Sequence, residues 1–508
     1  MVNVSLATRI NGRLFLLLCL PSAVCPQNFP GVLTGQYDNN RSGANLQEAI
    51  LTPSNVSANS FGFLFTQTVD ANIFAQPLYV PNLTINNSVH NTVFVATLNN
   101  SVYAFDADTV QAALWHTNLG QPANIGFAAT PAIGILSTPV IDTSANRIFV
   151  VSLSVQTGKK VYTLDALNLL NGTVIAAVPI QGAVGGTGDN SQSTPCPAGN
   201  GLTVEPPCIP FKPAEQMQRP ALLEDPSSGT IYIGFGTMSP TEATNPYHGW
   251  LFGYQYAGNT FTQTLVFSAT ANATQTGPAC TGTNPPSNQC GHGGGIWMSG
   301  RGPALDSSGV YVITGNGGYG GTGSGNWGES ALRLNSLGSV VDSFTAYNYA
   351  TLNAADLDLG DAGGMLFTST NTTIQNLMLA AGKTGMVYVM NRSSLGGLSQ
   401  GNKGAIQSFL GTSLPCGSGP GGSGCYEIHS FTYWARVSAP PVLYIWAYGD
   451  SLRVWDFNAT DNQFAVDSNQ GATPARDYPG PGLSVSANGD SNGILWAIMP
   501  VISSGGAE

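Results

Sequence analysis

The chain reads as an all-β protein built as a β-propeller, and three observations carry that expectation. First, a short motif returns along it: VYAFDADTVQAALW (Val102 to Trp115), VYTLDALNLLNGTV (Val161 to Val174), GWLFGYQYAGNTF (Gly249 to Phe261), MVYVMNRSSLGG (Met386 to Gly397) and LRVWDFNATDNQF (Leu452 to Phe464). Each copy is an apolar or aromatic strand, then Asp, Asn or Gln, then a polar turn and a further apolar stretch. Repeated units of this kind imply an array, and four-stranded units imply a propeller. Second, 63 Gly and 32 Pro among 508 residues punctuate runs rich in Val, Ile, Tyr, Phe and Thr, the pattern of strands joined by turns. Third, no long segment shows helical periodicity. Only 8% of residues are charged, which suits sheets packed on sheets.

Blade-like units follow one another in order. Pro77 to Trp115 contains PLYV, TVFVATL and SVYAFD. Thr138 to Ile180 contains TPVID, RIFVVSL and KKVYTLD. Arg219 to Phe267 contains RPALLED, TIYIGFG and GWLFGYQ. Gly302 to Phe344 contains GPALD, GVYVITGN and SALRLN. Gly363 to Phe409 contains GGMLF, LMLAAG and GMVYVMN. Ser430 to Val466 contains SFTYWA, VLYIWAYG and SLRVWDF, and Gly482 begins a seventh with LSVSANG and GILWAIMP. Alternation of apolar residues within each run fits sheets stacked face to face. The seventh unit lacks its outer motif, so the propeller (61–508) is expected to be incomplete at its C-terminal side. FGFLFTQTVD, from Phe61, is a candidate closing strand.

Residues 1–25 have the form of an export signal: Arg9 and Arg13 precede the apolar run Leu14 to Leu20, followed by Pro21, Ser22 and Ala23. The run is too short to span a membrane. An N-terminal extended segment, 26–60, follows. Six further cysteines fall into the local pairs Cys196/Cys208, Cys280/Cys290 and Cys416/Cys425, each bracketing a Gly/Pro-rich loop. Local disulfides in an oxidising compartment are the simplest reading, because no pair has tight CxxC spacing. Secretion or a periplasmic location is therefore expected. The formal net charge of −11, with 16 basic residues, leaves no basic patch to neutralise phosphates, so nucleic acid is not an expected partner.

The aromatic, aliphatic, Asp and Leu-Trp pattern resembles the tryptophan-docking repeat of the pyrroloquinoline quinone (PQQ) dehydrogenases, exported eight-bladed propellers that oxidise alcohols or sugars. The opening QYDNNRSGANLQEAILTPSNV is similar to that of uncharacterised exported proteins with PQQ-type repeats. The resemblance covers most of Phe61 to Met499 and extends to four positions. In GHGGGIWMSG, Trp297 stands where the family's Trp forms the floor under the quinone. In VYVITGNGG, Asn316 stands where an Asn binds calcium. In DLDLGDAGG, Asp358 stands where the catalytic base is found, with Leu357 in place of the usual Trp. In AAGKTGMVYVMNR, Lys383 stands where a basic residue contacts the quinone oxygens.

The chemistry suits these residue types. A hydride-accepting quinone needs a cation on its carbonyl. A carboxylate takes the alcohol proton, calcium prefers oxygen ligands, and a flat ring stacks on Trp. The resemblance thus implies PQQ and calcium as cofactors and a small alcohol or sugar as substrate. Two departures stand beside it. The adjacent Cys-Cys pair that usually covers the quinone is absent, and the family's calcium-binding Glu has only Glu242, out of register, near PYHGWLFGY. Each residue also has a structural alternative: Trp297 as blade packing, Asn316 and Asp358 as turn residues, Lys383 as a solvated charge. A non-catalytic propeller that kept the fold is therefore the competing function. Arg219 and Arg301, before two inner strands, are read either as anion-binding funnel residues or as buried structural pairs, and His292 and His429, in loops, either as ligands or as hydrogen-bonded structure.

Overall fold

The computed structural model describes residues 29–124, 132–199, 201–237, 246–274, 293–420, 423–466 and 470–500, with two short stretches of the tail, 502–503 and 506–507. The proposed export signal, the Cys280/Cys290 pair, His292 and Glu242 lie outside them.

Each sequence unit forms one antiparallel sheet. Blade 1 is Leu78–Ile85, Ser88–Ala96, Ser101–Asp106 and Trp115–Asn118. Blade 2 is Val140–Asp142, Arg147–Gln156, Lys159–Asn168 and Val174–Pro179. Blade 3 is Leu223–Asp225, Thr230–Thr237, Trp250–Ala257 and Thr260–Ser268. Blade 4 is Ala304–Asp306, Gly309–Ile313, Ser330–Leu334 and Val340–Thr345. Blade 5 is Gly364–Thr368, Asn376–Ala381, Met386–Asn391 and Gln407–Leu410. Blade 6 is Phe431–Trp434, Val442–Ile445, Arg453–Asn458 and Gln463–Val466. Blade 7 is the hairpin Gly482–Asn488 and Ser491–Ile498. The recurring motif is the third strand of its blade, and the residues after its turn form or lead into the fourth.

Consecutive residues of the second strands are buried. Ile148, Phe149, Val150 and Val151 in blade 2 are at most 2% exposed, so both faces of the sheet are covered by neighbouring blades. That double burial removes most of the alternation a half-solvated strand would show. Blades also dock through the motif's tryptophan: Trp115 of blade 1 donates its indole N–H to Leu169 O, just beyond the third strand of blade 2 (3.0 Å).

An inner strand leaves one row of backbone groups facing the axis, and buried backbone groups need partners. A single strap, residues 32–43, supplies them. Val32 exchanges hydrogen bonds with Tyr79 of blade 1, and Leu33 O accepts from Ile141 N of blade 2. Asn39 donates its amide to Glu224 O of blade 3. Asn39 O, Asn40 O, Ser42 O and Gly43 O then accept from Leu305, Leu366, Tyr433 and Val485, in blades 4, 5, 6 and 7 respectively. The strap ends as a short strand, Ala44–Asn45, parallel to Gly482–Asn488.

This corrects one expectation. The segment from Phe61 forms no strand, and Phe63 and Leu64 are exposed at 66% and 47%. Blade 7 takes its third strand from 44–45 instead, because the strap already lies along the inner edges.

Two buried arginines pin the strap. Arg41 donates to Thr34 Oγ1, Gly35 O, Leu222 O and Pro303 O. Arg301 donates to Arg41 O, Ala362 O and Phe431 O, with its guanidinium over the Phe431 ring. Burial pushes both below the usual guanidinium range, Arg41 to about 10 and Arg301 to about 9. Cys196–Cys208 and Cys416–Cys425 are disulfides, with Cα atoms 6.1 and 4.1 Å apart. No helix among the described residues is long and apolar enough to cross a membrane.

Candidate active site at one mouth of the propeller

In an antiparallel blade, the start of the inner strand and the end of the second strand lie at the same end. Loops 297–303 and 356–363 lead into the inner strands of blades 4 and 5. Residues 314–316 and 382–383 follow the second strands of the same blades. Topology therefore brings all four of these loops to one mouth.

Three of the four sequence-selected residues touch. Asp358 Oδ1 accepts the Asn316 backbone N–H (2.8 Å), and Asp358 Oδ2 lies 2.6 Å from Lys383 Nζ. Lys383 also meets Asp356 Oδ1 at 3.2 Å, and Asn316 donates its amide to the same oxygen (2.7 Å). The fourth, Trp297, joins them through backbone: Met298 N–H donates to Gly360 O and Gly315 N–H to Gly295 O. The half-buried indole packs over Gly236 of blade 3, where any Cβ would lie 2.6 Å from the ring. Gly315 has a similar constraint: a Cβ there would intrude on Asp358 Oδ1.

Burial opposes the Lys383 ammonium, but Asp358, Asp356 and Asp361 outweigh it and raise Lys383 beyond its ordinary value. Burial, then Asp358, raises Asp356. Glu329 is fully buried beside them; burial and the Asp358 charge push it well above the carboxylate range. Its Oε2 accepts the Leu359 N–H (2.7 Å), while Glu329 Oε1 and Asn316 Oδ1 have no hydrogen-bond partner.

A cavity of about 240 Å³ opens at this mouth, lined by Gln36 of the strap, Arg219, Arg301, Asp361, His429 and Tyr478 among others. The exposed Arg219 guanidinium stands 5.6 Å over the Trp297 ring. Of the two arginines flagged in the sequence, Arg219 therefore lines the funnel, and Arg301 is chiefly a structural anchor.

The sequence reading singles out His429 but not its two carboxylate partners. His429 Nδ1 lies 2.5 Å from Asp361 Oδ2, and Nε2 lies 3.3 Å from Glu427 Oε2. Burial opposes the charged imidazole, yet Asp361 and Glu427 together raise it to about 9. Burial likewise opposes ionised Asp361, but His429, Lys383 and Arg219 hold it below its usual range. The available signals were the third acid of DLDLGD and the spacing Glu427-x-His429; neither resembles a known motif.

No protein-family profile and no curated protein sequence matches the chain. Solved structures do. A quinohemoprotein alcohol dehydrogenase from Pseudomonas putida HK5 aligns at TM-score 0.54 and 14% identity, over 92% of this chain and 66% of its own. The quinohemoprotein alcohol dehydrogenase from Comamonas testosteroni gives 0.57 and 13%, over 93% and 70%. A europium-containing methanol dehydrogenase gives 0.57 and 12%, over 94% and 86%. The likeness is one of fold: the chain is an all-β, seven-bladed propeller arrangement of the quinoprotein dehydrogenase type. Against the first of these enzymes it spans just under two thirds of the length.

Proposed function

We propose that the chain is an exported, quinone-dependent oxidoreductase acting on a small alcohol or sugar. The observation that carries this reading is the meeting of Asp358, Lys383 and Asn316 at one mouth, around an unpartnered Asn316 carbonyl oxygen. Separate structural roles for these residues would not require them to meet.

The donor set suits a hard cation. Asn316 Oδ1 is buried and free, and the Asp358 and Asp356 carboxylates lie beside it. Oxygen donors of this kind select calcium or a lanthanide such as the one named for the europium-containing neighbour. Trp297 would offer its ring face to a quinone, Lys383 a positive charge to the quinone oxygens and Arg219 one to its carboxylates. The cavity of about 240 Å³ is below the roughly 300–1,000 Å³ typical of small-molecule sites, so a quinone would enter only if the exposed Arg219 side chain moved off the indole.

Bound PQQ supplies the hydride acceptor. The chain's own residues do the rest. Asp358 accepts the substrate hydroxyl proton, its orientation fixed by the Asn316 N–H and by Lys383. Lys383 stays charged and places positive potential beside the reacting centre. Glu329 holds the 358–360 loop through Leu359.

A second reading, a non-catalytic propeller, is favoured by the 2.6 Å Lys383–Asp358 pair, which occupies the proton acceptor, and by Arg219 over Trp297. Titration of purified protein with PQQ and calcium separates the two. Quenched tryptophan fluorescence and a bound quinone spectrum, both lost in Trp297→Ala, support the enzyme. Dye reduction with alcohols or sugars should then vanish in Asp358→Asn. Absence of any bound chromophore supports the second reading.

A further inference from the structure

We propose that Asp361, Glu427 and His429 form a second metal site in the same cavity, taking a first-row divalent cation of the zinc type. The site is distinct from the Asn316 oxygen cluster and does not depend on the quinone reading.

Ligand atoms of the three residues all lie within 4.8 Å of one another. The His429 side chain is 8% exposed and that of Glu427 10%. A protonated imidazole between two carboxylates would point its N–H bonds at the oxygens. Here His429 Nε2 and Asp361 Oδ2 have no hydrogen-bond partner, although their neighbours stand 3.3 and 2.5 Å away. Neither nitrogen–oxygen pair is aligned as a hydrogen bond, and a divalent cation that displaces the imidazole proton would be held by the same three ligand atoms. Metal–ligand distances of about 2.0–2.2 Å need the 2.5 Å pair to open slightly, by a side-chain rotation.

Supporting contacts are present on both carboxylates. Ser299 Oγ donates to Asp361 Oδ1 (3.3 Å), and Ser423 Oγ donates to Glu427 Oε1 (2.5 Å). Such outer contacts orient metal ligands. One nitrogen and two carboxylate oxygens suit zinc, manganese or iron(II) better than calcium, which prefers oxygen alone. Three protein ligands leave coordination positions open. Asp361 and His429 line the cavity together with Arg219, so the further ligand would be water or a small oxygen anion such as a carboxylate.

The test is calorimetric titration of EDTA-treated, dialysed protein with Zn²⁺. We expect one ion per chain, with affinity reduced at least about a hundredfold in both His429→Gln and Asp361→Asn, since each removes a direct ligand. Asn316→Ala should leave zinc binding unchanged, which separates this site from the oxygen cluster. If the variants do not fold, Co²⁺ added to the unaltered protein should give visible d–d absorption and a hyperfine-shifted imidazole N–H resonance. Failure of the unaltered protein to retain Zn²⁺ or Co²⁺, or stoichiometric binding that survives in both variants, overturns the proposal.

Discussion

Gly315→Ala puts a methyl group where Asp358 Oδ1 now lies, while the backbone conformation at 315 is open to any residue. The carboxylate must retreat by about 1 Å or more to reach ordinary contact distance. Two interactions answer. The charge-assisted hydrogen bond from Asn316 N–H is lost, a cost of about 1.5–3 kcal/mol. Stretching the 2.6 Å pair with Lys383 by the same amount costs about 2 kcal/mol at an effective dielectric of about 20. The expected destabilisation is thus about 3–5 kcal/mol, with a comparable disturbance of the oxygen cluster. A 1 Å displacement of a reacting group costs roughly a hundredfold in rate, so any quinone-dependent dye reduction should fall by that factor. Gly323→Ala is the control, because nothing lies within 4 Å of a Cβ there. The assay is urea denaturation of both variants beside the unaltered protein, followed by calcium titration. A Gly315→Ala protein that unfolds at the same midpoint and binds calcium unchanged would refute the placement of Asp358 against Gly315.

Three other outcomes are expected. Asp165, in the motif strand of blade 2, is pushed by burial up to about 7 from 3.8, with Ser152 only partly opposing. A carboxyl with a raised folded value adds no cost at low pH; the cost begins as pH rises through the unfolded value and is complete once pH passes the folded one. Stability therefore declines between about pH 4 and 7, by at most about 4 kcal/mol, and Asp165→Asn should remove that decline: equal stability near pH 4, a more stable variant at pH 8, read from paired urea melts. Arg301→Met strips a charged donor from three carbonyls and should cost about 3–5 kcal/mol, seen as a lower thermal midpoint; an unchanged midpoint would show that the strap is not anchored there. Replacing Cys416 and Cys425 together by Ser should cost up to about 3 kcal/mol of loop-closure entropy. It should also weaken Zn²⁺ binding in the calorimeter, because the bridge closes the loop that carries Ser423 against Glu427.

The blades were legible because their signal is local and repeated. Inner strands begin after Pro or Gly, and the motif strands recur at a fixed place in each sheet, so the seven unit boundaries fall within a few residues of the observed strands. Asn316, Asp358 and Lys383 were singled out through the resemblance to the PQQ dehydrogenases rather than through a local pattern, and the fold sets them side by side at one end of blades 4 and 5. The strap was not legible. NNRSGAN has no periodicity, and its partners are scattered from Tyr79 to Val485. Burial of Arg41 was invisible for the same reason, and burial of Arg301 was one of two open readings, since their partners are backbone carbonyls, which no side-chain pattern announces. His429 stood alone in sequence; Asp361, its nearest carboxylate in space, lies 68 positions earlier, in the preceding blade.

The strap has a bearing on the order in which the molecule is assembled. Residues 32–43 leave the ribosome before any blade exists, yet Gly43 meets Val485 only after blades 1 to 6 have been made. Contacts so distant in sequence are slow to form. The strap can therefore dock in the order its partners are made, from Val32 on blade 1 to Gly43 on blade 7, and its C-terminal half is the last part of the axis to be filled. Maturation would then end with residues 39–43 threading between blades already stacked. The cavity, lined by Gln36 and by residues 478–482, is complete only after that step.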